Sequence, residues 1–265
     1  PFLRPESLVL YGNLGLQALR EAVSHRPQAV LGSRVLPEGL VANVVGEIAR
    51  TRSIVLAHGE EIRTWTRPAE RRRLTGTVKA RLLWQVYKAA DHVVANSRFT
   101  RQLLLDGGVR PEKVALVHPG TDPQRFRPRP ADPGLVRKWN LEDKRVLLTI
   151  GRLSRRKGQD TVLRALPAIR KDFPEVVYVI GGVGVEEERL RGLAASLDVQ
   201  DHVRFLGEID DATLPSIYNL ADIFIMPNRR LEGNDVEGFG IVFLEASASG
   251  LPVIGGRSGG VPDAV

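Results

Sequence analysis

The second half of the chain alternates short apolar runs with amphipathic stretches, and this regular order restricts the possible folds more than any other feature. The apolar runs are rich in β-branched residues, and each is followed by glycine or proline. They comprise residues 146–150, 176–180, 203–206, 223–226 and 252–254, with helical patterns over residues 160–171, 186–197, 212–219 and 240–248. Unbroken apolar strands that alternate with helices are typical of a parallel sheet covered on both faces. Because such connections are right-handed, the pattern predicts a doubly wound, Rossmann-like domain.

Residues 1–121 follow the same order less fully. Apolar runs at residues 29–31, 53–56, 92–95 and 114–117 predict strands with helices between them, and the basic residues 67–79 are interpreted as a mobile surface segment. Residues 119–133 contain five prolines and indicate a domain boundary. The predicted fold is therefore α/β, with two Rossmann-like domains of parallel sheet (residues 1–121 and 122–265) that face each other across a cleft.

The chain contains no cysteine. This excludes thiolate zinc sites, iron–sulfur clusters and a cysteine nucleophile, and it makes a reducing cytoplasm the expected compartment. No apolar run approaches the ~20 residues of a membrane span, and residues 1–4 do not resemble a signal peptide.

Positive charge is concentrated in the first half. Residues 1–125 hold 19 Lys and Arg against 11 Asp and Glu, a balance of +8, and the remaining residues hold 19 against 20, a balance of −1. Such a half could bind an anionic membrane surface, at about 1 kcal/mol for each well-placed basic residue, which would place the protein peripherally on the inner face of the membrane. A solvated, arginine-rich surface is the alternative. We expect no nucleic acid partner, because aromatic interleaving, zinc finger and helix-turn-helix patterns are absent.

Glycine-containing segments follow the predicted strands, at the edge where open α/β sheets bind ligands. In the first segment, Gly151 and Gly158 frame six residues, four of which are cationic. Arginine can bind two phosphate oxygens with its planar fork and lysine acts as a point charge, so this segment suits a diphosphate. A basic surface loop that opens a helix is the alternative.

The second segment surrounds Glu237. Gly238 and Gly240 let the backbone approach a ligand closely, and the predicted helix that follows offers free N–H groups. Glu237 is placed to accept hydrogen bonds from sugar hydroxyls, whereas Glu245 lies on an otherwise apolar helix face and therefore needs a specific partner. The alternative is a structural role for both residues, in which Glu237 caps the helix and Glu245 is a core carboxylate whose hydrogen bonds are made within the protein. The glycine-rich residues 258–262 are a weaker signal, and residues 181–184 lack the spacing of a dinucleotide fingerprint.

In this order, these segments resemble the retaining family 4 glycosyltransferases of the GT-B fold. The two glutamates have the family's spacing, with seven residues between them, and residues 250–253 and 259–262 continue the match. In the first half, residues 96–101 and 119–128 are similar to the family's domain-junction segments. The resemblance implies a transferase that moves a sugar from a nucleotide diphosphate donor with retention at the anomeric carbon.

The resemblance also implies roles for individual residues. Arg152 and Lys157, beside Gly151, would hold the donor diphosphate and offset charge on the leaving group, so that neither a metal nor a cofactor is required. Glu237 would bind hydroxyls of the transferred sugar, and Glu245 would bind the ribose. The backbone beside the sugar would come from Gly238, Phe239, Gly240 and Ile241.

His58 follows a predicted strand of the first half and precedes a glycine. Without the family, a lone histidine in this setting is more often structural. In the family, a catalytic-site histidine has a similar His-Gly context and faces the donor sugar. The resemblance therefore implies that His58 is catalytic.

Residues 229–242 are similar to bacterial phosphatidylinositol mannosyltransferases that use GDP-mannose. A mannose donor and a lipid or glycan acceptor are therefore favoured, with a UDP-sugar as the competing donor. The family's first strand and its glycine-rich loop have no counterpart here, and neither do its last elements, so we expect a chain truncated at both ends with an incomplete first domain. A GT-B sugar-nucleotide epimerase and a catalytically silent, nucleotide-binding fragment remain alternatives.

Overall fold

The structure is a computed structural model that describes residues 5–66, 74–232 and 235–265. The chain forms two compact units, Pro1–His118 and Pro119–Val265, called the N-terminal and C-terminal units below. The break falls at the start of the proline-rich segment, whereas the boundary predicted from sequence lies between residues 121 and 122.

The N-terminal unit contains a four-stranded parallel sheet in the order β1-β2-β3-β4. Its described elements are α1 (Pro5–His25), β1 (Ala29–Gly32), α2 (Leu40–Ala49), β2 (Arg52–Ala57), α3 (Glu60–Thr66), α4 (Leu74–Ala89), β3 (His92–Ala95), α5 (Arg98–Asp106) and β4 (Val114–Leu116). Val55 and Val93 of the central strands are fully buried and belong to one core cluster with Leu83 and Tyr87 of α4. The four strands predicted from sequence are confirmed.

Residues 74–79 do not form the mobile surface segment predicted for residues 67–79, because they begin α4. Among the residues of α4 whose burial is described, Ala80, Leu83, Val86 and Tyr87 are buried at helical spacing, whereas Thr77 and Val78 are exposed. The exposed residues before Ala80 therefore add little to the periodicity that identifies a helix in sequence. Residues 67–73 of the predicted segment lie outside the described residues.

The C-terminal unit contains a five-stranded parallel sheet in the order β7-β6-β5-β8-β9. Its described elements are α6 (Pro133–Trp139), β5 (Arg145–Ile150), α7 (Gln159–Asp172), β6 (Val176–Gly181), α8 (Glu187–Ser196), β7 (Val203–Gly207), α9 (Leu214–Tyr218), β8 (Ile223–Met226), α10 (Ile241–Ala248) and β9 (Val253–Gly255). All five predicted strands are present, each within one residue at either end.

Both faces of this second sheet are buried, as the unbroken apolar strands predict. Successive residues of β6 point to opposite faces, so that Val177 and Val179 pack in one core cluster and Tyr178 and Ile180 pack in another. The first cluster includes residues of α9 and α10, and the second includes residues of α7 and α8. The helices therefore lie on both sides of the sheet, in the doubly wound arrangement.

The order of the strands reverses at the centre of this sheet. The chain passes from β5 to β6 and β7 on one side, then returns to β8 and β9 on the other. In open α/β sheets, the crevice beyond the carboxyl ends of the two strands at such a reversal is where ligands bind. The carboxyl ends of β5 and β8 thus define the first place to look for a site. Among the described helices, none combines the length and apolar character that a membrane crossing requires.

Candidate active site

Three turns follow the carboxyl ends of β5, β8 and β9 and contact one another. They are the Lys157 turn (residues 151–158), the Glu237 turn (the described residues 227–232 and 235–240) and the Gly259 turn (residues 256–260). The backbone N–H of Arg229 donates to the carbonyl oxygen of Arg156 at 2.9 Å, and that of Gly260 donates to the carbonyl oxygen of Glu237 at 2.9 Å. An ion pair between Arg229 and Asp160, at 3.0 Å, adds a further contact between the Glu237 turn and the start of α7.

Two glycines hold these turns in conformations that other residues adopt at a cost. Gly158 has a φ of +80°, and a Cβ there would lie 2.2 Å from the carbonyl oxygen of Pro227. Gly240 has a φ of +98°, and its Cβ would lie 2.8 Å from the ring of Phe243. Positive φ together with these close approaches explains why the segments framing the site carry glycine.

The structure brings together Lys157 and Glu237, two of the residues that the sequence assigned to the site. The ammonium of Lys157 lies 2.6 Å from Glu237 Oε2, and both side chains are almost 90% buried, at 11% and 12% exposure. Arg156 Nη1 donates to the same oxygen at 2.9 Å, and the side-chain amide of Asn228 donates to it at 3.4 Å. Glu237 is therefore an anchored carboxylate at the point where the strand order reverses.

The charge state of Glu237 follows from these contacts. Burial by itself would raise the pKa of the carboxyl, because it removes water from the charged form. The positive charges of Lys157 and Arg156, with the hydrogen bonds they donate, outweigh burial and hold the pKa of Glu237 below its ordinary value. The group is ionised at neutral pH and can act only as a hydrogen-bond acceptor.

Arg152, the third charged residue assigned to this site from sequence, begins the same turn and is exposed. Its guanidinium pairs with no side chain in the described parts of the chain. Arg152 is thus available to an incoming anion, whereas Lys157 is already paired with Glu237.

The residues after Glu237 divide between the core and the surface. The side chain of Phe239 is buried in the core, so only its backbone can reach a ligand, and Ile241 at the start of α10 is about half exposed. Glu245 accepts a hydrogen bond from the Tyr218 hydroxyl at 2.7 Å. Burial and then the charge of Glu245 raise the pKa of Tyr218, which therefore remains a hydrogen-bond donor.

His58 lies in the N-terminal unit, directly after β2. Its Nε2–H donates to the carbonyl oxygen of Ser33 at 2.8 Å, and its backbone N–H donates to the carboxylate of Glu61 at 3.0 Å. The hydroxyl of Tyr87 donates to the same Glu61 oxygen at 2.6 Å. The imidazole is exposed at the edge of a cavity of about 530 Å³ that Arg34, Leu36, Glu60 and Thr64 also line.

Comparison with known proteins accounts for both halves of the chain. The family model described as "Glycosyltransferase Family 4" matches residues 1–125, and that described as "Glycosyl transferases group 1" matches residues 135–265. The GDP-mannose-dependent monoacylated alpha-(1-6)-phosphatidylinositol monomannoside mannosyltransferase of Corynebacterium glutamicum is 33% identical over 98% of this chain and 67% of its own length. The chain belongs to the family 4 glycosyltransferases.

The chain is similar to two further relatives, of which it covers different shares. The GDP-mannose-dependent alpha-(1-6)-phosphatidylinositol monomannoside mannosyltransferase of Mycobacterium tuberculosis is 36% identical over 98% of this chain and 66% of its own length. The D-inositol 3-phosphate glycosyltransferase of Geodermatophilus obscurus is 34% identical over 82% of this chain and 47% of its own length. The chain thus spans about two thirds of the length of the mannosyltransferases it matches. The similarity to GDP-mannose-dependent enzymes predicted from residues 229–242 is confirmed.

Comparison with solved structures identifies the fold of the chain. Anabaena Alr3699/HepE in complex with UDP superposes with a TM-score of 0.75 at 22% identity, over 96% of this chain and 65% of that one. Sucrose-phosphate synthase from Thermosynechococcus elongatus has a TM-score of 0.69 at 22% identity, over 98% of this chain and 63% of that one. The two parallel sheets of the chain are those of the GT-B fold, as predicted.

The sequence does not by itself indicate the roles of three residues of the candidate site: Arg156, Asn228 and Tyr218. Arg156 is one of four cations in its segment, and nothing in the order of those cations shows which one turns to Glu237. Asn228 directly follows Pro227 at the end of β8, a position where a polar residue does signal a ligand edge. Tyr218 carries no such signal, because it lies in α9 and meets Glu245 only in the folded chain.

In residues 5–66, 74–232 and 235–265, no group of three or more His, Asp or Glu side chains is arranged to bind a metal ion. Among the described residues of the site, Arg152 offers an exposed guanidinium to an anion, and Lys157 offers an ammonium that is paired with Glu237.

Proposed function

We propose that the C-terminal unit binds the nucleotide diphosphate sugar of a retaining glycosyltransferase. The chain would transfer a hexose, with mannose from GDP-mannose as the favoured donor, to a lipid or saccharide acceptor. The observation that carries the proposal is the buried contact between Lys157 and Glu237, where the strand order reverses. A cation for phosphate and a carboxylate for hydroxyls lie side by side there, as the two ends of a sugar diphosphate require.

Lys157 and Arg152 supply the positive charge that such a donor needs. When the bond between the sugar and the diphosphate breaks, negative charge grows on the departing phosphate. Preorganised cations at that position stabilise the transition state more than the ground state. Arginine can contact two oxygens at once and lysine one, so the pair can follow the diphosphate as its charge changes.

Glu237 and Glu245 supply the acceptors for hydroxyl groups. Glu237 is ionised and fixed in place, so it can accept hydrogen bonds from hydroxyls of the transferred sugar beside the backbone of Gly238, Phe239 and Gly240. Glu245 keeps one oxygen on the Tyr218 hydroxyl and can offer the other to the ribose. We also propose His58 as a catalytic residue, supported by the family resemblance and by its exposed place at the carboxyl end of β2.

Mannose is favoured because the two relatives that match 98% of this chain, at 36% and 33% identity, are named for GDP-mannose. A UDP-sugar is the second donor to be tested. The same relatives are named for phosphatidylinositol monomannoside, an anionic lipid. The surplus of basic residues in the N-terminal unit fits an acceptor of that charge at a membrane surface.

The first experiment is thermal unfolding of the chain with GDP, UDP, ADP or NAD, each without added metal. A ligand at a hundred times its dissociation constant adds about 2.7 kcal/mol to the free energy of unfolding, which such a scan resolves. We expect GDP to raise the unfolding temperature most and NAD to leave it unchanged. An equal or larger shift with NAD would contradict a nucleotide-sugar site.

The second experiment is product analysis with GDP-mannose and UDP-glucose. We expect the chain to release GDP from GDP-mannose and to form an α-linked mannoside on phosphatidylinositol mannoside acceptors. Formation of a different nucleotide sugar without any acceptor would identify an epimerase instead. Binding of GDP with neither product would identify a nucleotide-binding chain without transferase activity.

A third experiment addresses the membrane surface. We expect the chain to sediment with vesicles that contain phosphatidylinositol and to be released as the salt concentration rises, because surface charges are screened within a Debye length of about 8 Å at physiological ionic strength. Vesicles of neutral lipid alone are the control. Equal binding to both kinds of vesicle would show that charge is not what attracts the chain.

A further inference from the structure

The two carboxylate oxygens of Glu237 have different surroundings. Lys157 Nζ, Arg156 Nη1 and Asn228 Nδ2 approach Oε2, at 2.6, 2.9 and 3.4 Å. No described residue donates a hydrogen bond to Oε1. One oxygen is thus used to hold the side chain in place, and the other is left to accept a hydrogen bond from a ligand.

Lys157 would serve two partners if the site binds a sugar diphosphate. Its charge is directed at Glu237, whereas a diphosphate also requires it. A buried carboxylate that loses its only cation is strongly destabilised, so Lys157 could not turn to phosphate unless other groups kept Glu237 paired. The two remaining donors on Oε2 are suited to that task.

Arg156 is held to the Glu237 turn by more than one contact. Besides Glu237, its guanidinium lies 3.4 Å from the carbonyl oxygen of Val236 and 3.7 Å from the carboxylate of Asp235. Its side chain is 16% exposed. A guanidinium with several acceptors on one turn is less free to leave than the single ammonium of Lys157.

Asn228 is fixed in a different way. It is 4% exposed, and the backbone of the Gly259 turn packs so closely that a Cβ at Gly256 would lie 1.9 Å from the carbonyl oxygen of Asn228. Its Oδ1 is buried and accepts no hydrogen bond from the described residues. The reverse orientation of the amide would set that oxygen against the Glu237 carboxylate, so the donor side faces Glu237.

We propose that Arg156 and Asn228 are positioning residues that keep Glu237 Oε2 in place while Lys157 turns to the donor diphosphate. Oε1 then stays directed at a hydroxyl of the transferred sugar. This inference rests on the proposed donor site, and it assigns to Arg156 a task different from that of Arg152 and Lys157. Arg156 acts through Glu237 and does not bind phosphate.

A double-mutant cycle tests this assignment. The dissociation constants of GDP and GDP-mannose are measured by calorimetry for the full chain and for Arg156→Gln, Glu237→Gln and the double variant. We expect Arg156→Gln to weaken GDP-mannose binding about tenfold when Glu237 is present and less than twofold in the Glu237→Gln background, within the range of coupling for contacting residues. An equal loss in both backgrounds, for GDP as well, would show that Arg156 binds phosphate directly and overturn the proposal.

Three further variants make the result independent of folding. Arg156→Lys retains a cation, and we expect it to recover part of the loss. Asn228→Ala is expected to weaken GDP-mannose binding about threefold, again only when Glu237 is present. Arg155→Gln is the matched control, because Arg155 precedes Arg156 in the sequence but turns to Glu186 at 3.4 Å and is largely exposed. We expect it to bind both ligands like the wild type, with an unchanged unfolding temperature.

The failure of this inference differs from the failure of the proposed function. A wild-type chain that binds neither GDP-mannose nor UDP-glucose would have no donor site. A wild-type chain that binds GDP-mannose while Arg156→Gln and Asn228→Ala leave its affinity unchanged would have a donor site in which Glu237 needs no positioning residues.

Discussion

The two units of the chain contain the same kind of sheet but gather their residues differently. In the C-terminal unit the strand order reverses at β5 and β8. Lys157, Arg156 and Asn228 each place a nitrogen within 3.4 Å of Glu237 Oε2 there. In the N-terminal unit the described strands follow one another from β1 to β4 without reversal. His58 is bound there to Ser33 and Glu61, and no other residue assigned from sequence joins it. A reversal in strand order thus brings residues that are far apart in the sequence to one edge of the sheet, which a short sequence motif cannot do.

The largest effect on the contacts of the C-terminal unit is expected at Lys157. Lys157→Ala removes a charge-assisted hydrogen bond of about 1.5–3 kcal/mol to the diphosphate. We expect GDP to bind on the order of 10- to 100-fold more weakly in calorimetry. The fold should be retained, since Arg156 still pairs with Glu237. Lys171→Ala changes an exposed lysine of the same unit and is the control. Unchanged GDP binding in Lys157→Ala would reduce Lys157 to a structural partner of Glu237.

The rigidity of the turns in the C-terminal unit can be broken at Gly240. Gly240→Ala places a Cβ at positive φ and against the Phe243 ring, so we expect a loss of roughly 1–3 kcal/mol in the free energy of unfolding. Gly192→Ala is the matched control, because Gly192 lies in α8 with open space around it. That change should stabilise the chain by roughly 0.5–1 kcal/mol. Urea unfolding measures both, and equal stability of Gly240→Ala and wild type would mean that the turn adapts.

The ionised carboxylate at the reversal gives the C-terminal unit a dependence on acid. Because the pKa of Glu237 is lower in the folded chain than in the unfolded chain, its ionisation stabilises the fold above the unfolded pKa of about 4.3. That contribution disappears as the pH falls through the folded pKa. We therefore expect the stability difference between wild type and Glu237→Gln to be largest near pH 6 and to shrink toward pH 3. A difference independent of pH would contradict the ionised pair, and Glu142→Gln, at an exposed glutamate, is the control.

The smallest effect on nucleotide binding is expected at His58. The contacts of His58 lie within the N-terminal unit, so His58→Ala should leave the dissociation constant of GDP within about twofold of wild type, the scatter expected of independent sites. Its transfer rate should fall on the order of 10²-fold, as for the loss of a positioned catalytic group. His92→Ala, at an exposed histidine of β3, is the control. Normal transfer by His58→Ala would make His58 a structural residue.

Most of the fold was predictable because parallel strands buried on both faces appear in the sequence as unbroken apolar runs. The run at residues 223–226 coincides with β8, and the run at residues 176–180 differs from β6 only by Gly181. The start of α4 was not predictable, because it contains Gly76 and the exposed Thr77 and Val78, ahead of the buried residues spaced from Ala80 onward. The spacing of apolar residues predicts a helix only where one face of that helix is buried.

For the candidate site, the sequence indicates which residues lie close together more than it indicates which atoms are in contact. Glycine and charge after β5 and β8 indicated Lys157 and Glu237, since carboxyl ends of neighbouring strands must be close. The sequence did not separate Arg156 from Arg152 or Arg155. Only the folded chain distinguishes them, because Arg156 contacts Glu237, a residue 81 positions later, whereas Arg155 turns to Glu186.

The contact between Arg156 and Glu237 joins residues 81 positions apart. Closing so large a segment costs chain entropy before any contact offsets that cost, so we expect this contact to form late in folding. An interaction absent from the folding transition state changes the unfolding rate and leaves the folding rate nearly as it was. A ligand that bridges the Lys157 and Glu237 turns would therefore slow the unfolding of the chain and leave its folding rate nearly unchanged.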